Sequence, residues 1–240
     1  MLQLSFACFF LAVAFMQRPV NVYLTFDDGP GPGSEQVYRF ADSTGVKINL
    51  FAVGHRVLRG DSSGIAFRQH QHDSLILVCN HSFSHADGHY NKYYEDPAAV
   101  LKDFDRNRDT LSLENNIARL PGRNCWRVGG RAADDFVNGK EAADSLAMHG
   151  YRLFGWDVEW KADSLHRKSG AEMMDKVERM VREQRTFTPR NVVILFHDEE
   201  FQDGDFRKEV RSFVKLLSRK VDYRTVHLTA YPSVFSHIFR

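Results

Sequence analysis

The residues of this 240-residue chain that could do chemistry are histidines and paired acids. His81-Ser82-Phe83-Ser84-His85 sets two imidazoles four positions apart. On a helix, such a pair shares one face and can bind one metal ion. The zincin version of this spacing carries a Glu base directly after the first His; here that residue is Ser82, which disfavours a zincin protease. Asp27-Asp28 supplies the missing parts, stiffened by Gly29-Pro30. One carboxylate can complete a two-His, one-carboxylate set that leaves positions open, and the other can take a proton from water. A plain surface turn reads D-D-G-P just as well, for reasons of turn chemistry.

Three further positions fit the same chemistry. His197-Asp198 ends an apolar run, and an imidazole there is a candidate general acid. The competing reading is a core histidine bonded to backbone. Arg119 is placed to fix the ionisation of a nearby carboxylate, or to make a surface ion pair. Asp157-Val158-Glu159-Trp160 puts two acids beside an aromatic. One acid could orient His197, and Trp160 could wall a small apolar pocket or simply belong to the core.

Strand-like and helix-like runs alternate around these residues. Strands are expected at Val20–Phe26, Ile48–Val53, Leu75–Cys79, Ile117–Leu120, Tyr151–Trp156, Asn191–Phe196 and Tyr223–Leu228. Helices are expected at Ser34–Asp42, from the second strand to about His70, at Asp96–Leu111, Gly139–His149, Ala171–Arg185 and Phe206–Ser218, with Ser34 and Asn138 as N-caps. The alternation predicts an α/β fold with a parallel sheet of about seven strands. An open sheet and a barrel both satisfy it. Asp27-Asp28, His81, Arg119, Asp157 and His197 all fall at or just past strand C-termini, the edge where such folds build their sites.

Taken together, these residues resemble the polysaccharide deacetylase (NodB-homology) family of carbohydrate esterases. The resemblance is carried by Thr25-Phe26-Asp27-Asp28-Gly29-Pro30, His81-Ser82-Phe83-Ser84-His85, Arg119-Leu120-Pro121, Asp157-Val158-Glu159-Trp160 and Leu195-Phe196-His197. It implies a single distorted (β/α) barrel, with residues 17–240 as the catalytic domain. It implies that Asp28, His81 and His85 bind a divalent metal, zinc before cobalt or manganese. Asp27 would be the base, paired with Arg119, and His197 the acid. Leu195 and Trp160 would line an acetyl pocket. The implied activity is removal of N-acetyl groups from an amino-sugar glycan such as peptidoglycan, a chitin-like oligomer or an exopolysaccharide. Its alternatives are an O-acetyl esterase and an inactive glycan-binding module. Two positions depart from the family pattern. Gly122 stands where Tyr or Phe is usual, keeping the N–H that helps hold the oxyanion but losing a groove wall. The fourth motif is one residue short, with Glu159 before the tryptophan, leaving open whether Asp157 or Glu159 serves His197.

Composition narrows the partners. Hydrophobic residues make up 43% and charged residues 26%, with net charge +1. That is an ordinary globular balance without the basic stripe of a nucleic-acid binder. Three cysteines make no disulfide framework. Residues 2–16 carry no charge and are too short to span a bilayer. They read as the apolar part of a signal peptide, with Ala12-Val13-Ala14 as a cleavage site, or as an apolar segment packed on the domain. The expectation is an exported monomer acting on a glycan, without a stable membrane span.

Overall fold

The structure is a computed structural model that describes residues 18–135, 137–163 and 167–232. The apolar segment 1–16 lies outside the described residues. Among the described residues, ten strands form one sheet: β1 Val20–Asp27, β2 Ile48–Ala52, β3 Ile76–Asn80, β4 Ile117–Ala118, β5 Trp126–Val128, β6 Arg131–Ala133, β7 Arg152–Leu153, β8 Val158–Glu159, β9 Asn191–His197 and β10 Tyr223–Thr225. Their order is β6-β5-β7-β4-β3-β2-β1-β9-β8, with β10 beside the start of β1. All pairings are parallel except those of β5 with β6 and with β7. The sheet curls into a distorted, incompletely closed barrel.

The helices among the described residues are α1 Ser34–Thr44, α2 Gly54–Val57, α3 Ser62–His70, α4 Tyr90–Tyr93, α5 Pro97–Leu111, α6 Lys140–Met148, α7 Gly170–Arg182 and α8 Gly204–Ser218. Among the described residues, no helix is long and apolar enough to cross a membrane.

Why the strands sit where they do follows from a period of two. In β1, Val22, Leu24 and Phe26 pack with α1, α7 and α8, while Tyr23 belongs to the cluster inside the curl. β2, β3 and β9 obey the same parity, with Phe51, Cys79 and Val193 inside and Leu50, Val78 and Ile194 outside. Burial on both faces explains why β1 and β9 are nearly continuous apolar runs. The register pairs Thr25 with Leu195 and Asp27 with His197, so the inward polar residues share one level at the strand ends.

Several elements differ from expectation, each for a local reason. Ser34 is not the cap of α1; Gly33 is, and the Ser34 hydroxyl instead donates to the buried Asp198 carboxylate. Gly139, not Asn138, precedes α6, because the Asn138 amide oxygen accepts from Arg123. α7 begins at a reciprocal cap between Ser169 and Glu172. The strands expected at 151–156 and 223–228 shrink to two and three residues. The β5–β6 hairpin and β8 carry no strong pattern, being only two or three residues each.

The loop after β1 is seated on the turn after β9. A Cβ at Gly33 would lie 1.7 Å from the Asp198 carbonyl oxygen, and Gly29 and Gly31 also face the Asp198 carboxylate. This contact ties the segment bearing the paired acids to the segment bearing His197. Gly33→Ala should therefore destabilise the fold by about 1–3 kcal/mol, as overpacking does. That corresponds to a melting temperature lower by roughly 2–10 °C in a chain of this size. An unchanged thermal unfolding curve would show that the loop is not seated this way.

Candidate active site

Two adjacent carboxylates on a strand should point to opposite faces. Asp28 avoids this by taking a left-handed conformation, with φ 74°, directly after β1. Both acids then turn inward, and Arg56 donates from its guanidinium to the Asp28 carbonyl oxygen. Asp28 Oδ1 lies 2.8 Å from His85 Nε2 and 3.3 Å from His81 Nε2.

The two histidines do not share a helical face. Residues 81–84 form a tight loop after β3, with Ser82 at φ 66° and His85 at φ 54°. The loop, and not an i, i+4 helix, brings the ring centroids to 5.1 Å. The spacing thus anticipated the convergence, but through the wrong local structure.

The donor chemistry fits a divalent metal. His81 Nδ1 lies 3.0 Å from the Arg119 carbonyl oxygen, which can only accept, so Nδ1 carries the proton. In a neutral ring, the Nε2 lone pair then faces Asp28 at 3.3 Å and Asp27 Oδ2 at 3.7 Å. Lone pairs converging on carboxylate oxygens call for a cation or a proton between them. Burial lowers the His81 pKa, but Asp27, Asp28 and the Arg119 carbonyl together raise it above its ordinary value. Burial opposes ionisation of Asp28, yet hydrogen bonds from both histidines hold its carboxyl well below the usual range. Burial also pushes His85 down, against the pull of Asp28. One ligand atom from each of Asp28, His81 and His85 lies within 4.8 Å of the others. A second such cluster, Asp42, His70 and Asp73, lies away from this cavity near α1 and α3 and is partly exposed.

Asp27 and Arg119 are both buried. Arg119 donates from Nη1 to Asp27 Oδ1 at 2.7 Å and to Thr25 Oγ1 at 2.9 Å. Its Nε and Nη2 bond the carbonyls of Phe154 and Gly155. Asp27 Oδ1 is thereby occupied, while Oδ2 stays on the side of the histidines.

His197 ends β9 at the level of Asp27. Its backbone N–H donates to the Glu200 carboxylate at 3.3 Å, and its Nδ1 lies 3.9 Å from Glu159 Oε1. Lys161 in turn pairs with Glu159 at 3.0 Å. Asp157 does not serve His197. Its two oxygens accept the Phe187 and Val193 N–H groups, bracing the start of β9. Nor does Trp160 wall the site; it is buried among Phe196, Phe206 and Phe213, with its indole N–H on the Lys168 carbonyl.

Asp27, Asp28, His81, His85, Glu159 and His197 line a cavity of about 380 Å³. Leu195 and Gly122 are in its wall, as expected, but the tryptophan there is Trp156. Sequence reasoning also missed Tyr90, Asp135 and Lys161, which line the same cavity. Tyr90 fills the space left at Gly122: a Cβ on that residue would touch its ring at 3.3 Å. The same ring meets His85 edge-on, with centroids 5.8 Å apart. The wall lost at position 122 is thus replaced from α4, through a contact between residues 32 positions apart that no local pattern announces.

The Asp157 bracing carries a test. Burial pushes its carboxyl up to about 6, from an ordinary 3.8, against the pull of the Val193 and Phe187 N–H groups. A value raised by folding means that the group's stabilisation is complete below the unfolded value and lost as pH rises through the folded one. Asp157→Asn should therefore cost more stability at about pH 4.5 than at about pH 7.5, read by denaturant unfolding. Equal costs at the two values would contradict a raised carboxyl.

Comparison with known proteins follows the same lines. Residues 17–122 match the polysaccharide deacetylase family profile. A chitin disaccharide deacetylase of Vibrio alginolyticus is 28% identical over 214 residues, covering 63% of this chain and 50% of that protein. The chain therefore spans about half the length of that curated relative. Among solved structures, a CE4 esterase of Streptococcus mutans superposes with a TM-score of 0.65 at 18% identity, covering 87% of each chain. The catalytic domain of a peptidoglycan N-acetylglucosamine deacetylase from Eubacterium rectale gives 0.60 at 20% identity, covering 90% of this chain and 92% of that one. At such identities the superpositions speak for the fold, and the sequence match over residues 17–122 makes that part of the chain similar to the polysaccharide deacetylases.

Proposed function

We propose that the protein is a metal-dependent hydrolase that removes N-acetyl groups from an N-acetylated amino-sugar polymer or oligomer and releases acetate. The observation that carries this reading is one cavity holding a cation-ready Asp28, His81 and His85 set, an arginine-held Asp27 and the ring of His197. The apolar run at 2–16 supports export to where such glycans lie.

Asp28, His81 and His85 would hold the ion, with zinc favoured by two imidazoles and one carboxylate, and cobalt or manganese as substitutes. When bound, a divalent ion supplies Lewis acidity to the acetyl carbonyl and acidifies water. Asp27 Oδ1 is tied to Arg119, so Oδ2 is the atom that takes the proton of the attacking water. Arg119 keeps that carboxylate in one orientation and surrounds it with a fixed positive charge. Gly122 lines the cavity, and its N–H would help to steady the developing oxyanion. His197 protonates the departing amine, a poor leaving group without that proton. Glu159 Oε1, 3.9 Å from its Nδ1, is placed to orient the ring. Leu195 and Trp156 supply apolar surface for the acetyl methyl group.

Chelation should abolish acetate release from N-acetylated glycans, and zinc, cobalt or manganese should restore it. Full activity of rigorously metal-free protein would end the metal reading. Replacing individual residues separates the roles. His197→Ala should keep metal near one ion per chain while slowing amide hydrolysis roughly 10²–10⁴-fold, the usual worth of a general acid. Its loss on an activated aryl acetate should be smaller, because that leaving group needs no proton. Asp27→Asn should slow both substrates alike, and His81→Ala should remove the metal. Loss of metal from the His197 variant, or equal slowing of ester and amide, would require the roles to be redrawn.

Glu159→Gln tests the acid's surroundings. Losing the carboxylate nearest Nδ1 should slow amide hydrolysis more than hydrolysis of an activated aryl acetate, whose leaving group needs no proton. Unchanged rates on both substrates would take Glu159 out of the mechanism.

A further inference from the structure

The loop that carries His81 and His85 has an unfavourable backbone. Ser82 and His85 both adopt left-handed conformations, at φ 66° and 54°, and neither is glycine. Such conformations persist only where the surroundings over-determine them. The bonds that do so run to one helix.

α5 presents two polar residues one turn apart, Asp103 and Asn107, and residues four positions apart share a helix face. Asn107 donates to Asn80 Oδ1 at 2.8 Å and to the Ala52 carbonyl at 2.9 Å. Asn80 Oδ1 accepts the Ser82 N–H at 2.9 Å, closing a turn over the first histidine. The Asn80 amide also donates to the Phe104 carbonyl of α5. One turn earlier, Asp103 Oδ2 accepts the Ser84 N–H at 3.2 Å and the Ser84 hydroxyl at 3.0 Å, next to the second histidine. The same oxygen accepts the Tyr93 hydroxyl at 2.9 Å, which anchors α4 and with it the Tyr90 wall. Within the loop, the Ser82 hydroxyl accepts the His85 N–H.

Asn107 is out of place on energetic grounds. It is fully buried in the helix stripe formed by Val100, Phe104 and Leu111, where an apolar side chain would cost nothing in unpaired polar atoms. Its Oδ1 has no partner among the described residues. A buried amide with one end unpaired is poor packing for the helix, but it is an effective tether for the loop. We infer that α5 is the template for the histidine pair, with Asp103 and Asn107 as positioning residues that hold His81 and His85 in ligand geometry before any ion arrives. The inference rests on the proposed metal-binding role of Asp28, His81 and His85.

The test reads metal affinity on the full chain, apart from activity. Zinc would be titrated against a chromophoric chelator for wild type, Asp103→Ala, the milder Asp103→Asn, Asn107→Leu and Val100→Ala. Thermal unfolding would confirm that each variant is folded. Losing a partner that orients a ligand typically weakens metal binding about 10–100-fold. That loss is expected for Asp103→Ala and Asn107→Leu, with a smaller one for Asp103→Asn. Val100 packs in the apolar cluster beneath the same helix, so Val100→Ala should lower the melting temperature without changing the zinc affinity of the folded protein. If wild type binds zinc and the Asp103 and Asn107 variants bind within twofold of it, the template is refuted and the metal site stands. A Val100 variant that weakens zinc as much as they do also refutes it, since general loosening of α5 would then be enough. If folded wild type binds no zinc, the metal site falls and the template with it.

Discussion

The guanidinium of Arg119 is the interaction on which the rest of this structure depends. It is fully buried and bonds Asp27, Thr25 and the carbonyls of Phe154 and Gly155, while its own carbonyl receives the His81 ring. One residue thus joins β1, the end of β4, the chain leaving β7 and the candidate metal set. Its plane lies over the Phe51 ring at 4.1 Å. A lysine, with a point charge and no fork, could not bond four acceptors in these directions. The pairing is not a source of net stability, since burying both charges is expensive. Its return is geometric: the carboxylate has one orientation, and β1 is tied to the chain leaving β7, two strands that do not pair with each other.

Much of the site could be read beforehand because its residues sit at strand ends, and strand ends announce themselves by a break from apolar to polar. Asp27, His81, Arg119 and His197 all follow that rule. It cannot say which way a side chain turns after the strand stops. Asp157 and Trp160 were both plausible on spacing, yet Asp157 braces backbone and Trp160 enters the outer core, with Glu159 and Trp156 taking the positions facing the cavity. Side chains alternate through β8, so Glu159 faces the cavity while Val158 and Trp160 enter the outer core; Trp156 lies before the strand, where alternation does not govern it. For His81 and His85 the reverse holds. Their convergence was visible, but the left-handed loop that achieves it depends on bonds to a helix some twenty residues further on.

The fold divides in the same way. β1, β2, β3 and β9 were recognisable because burial on both faces demands long apolar runs. α5, α7 and α8 were recognisable because each is long enough to show an apolar stripe. β4 and β7 lie inside expected strands but are only two residues long, β8 is too short to carry a period, and the edge hairpin β5–β6 exposes all of its outer strand. Ser34 shows a different limit. A serine before a helical run is a good cap, but here a buried carboxylate, which burial pushes up to about 6, takes its hydroxyl.

The substitution of the Tyr90 ring for a side chain at Gly122 separates two evolutionary tasks that a single motif would otherwise combine. Residues 119–121 answer to the reacting bond, and any change there disturbs the arginine or its carboxylate. The aromatic face beside His85 answers to the shape of whatever enters, and it comes from a four-residue helix between the second histidine and α5. That insert can lengthen, shorten or be exchanged while the strand end at Arg119 stays untouched. Selection for a ligand of different shape would therefore act first on residues 88–95, leaving the strand-end residues unchanged.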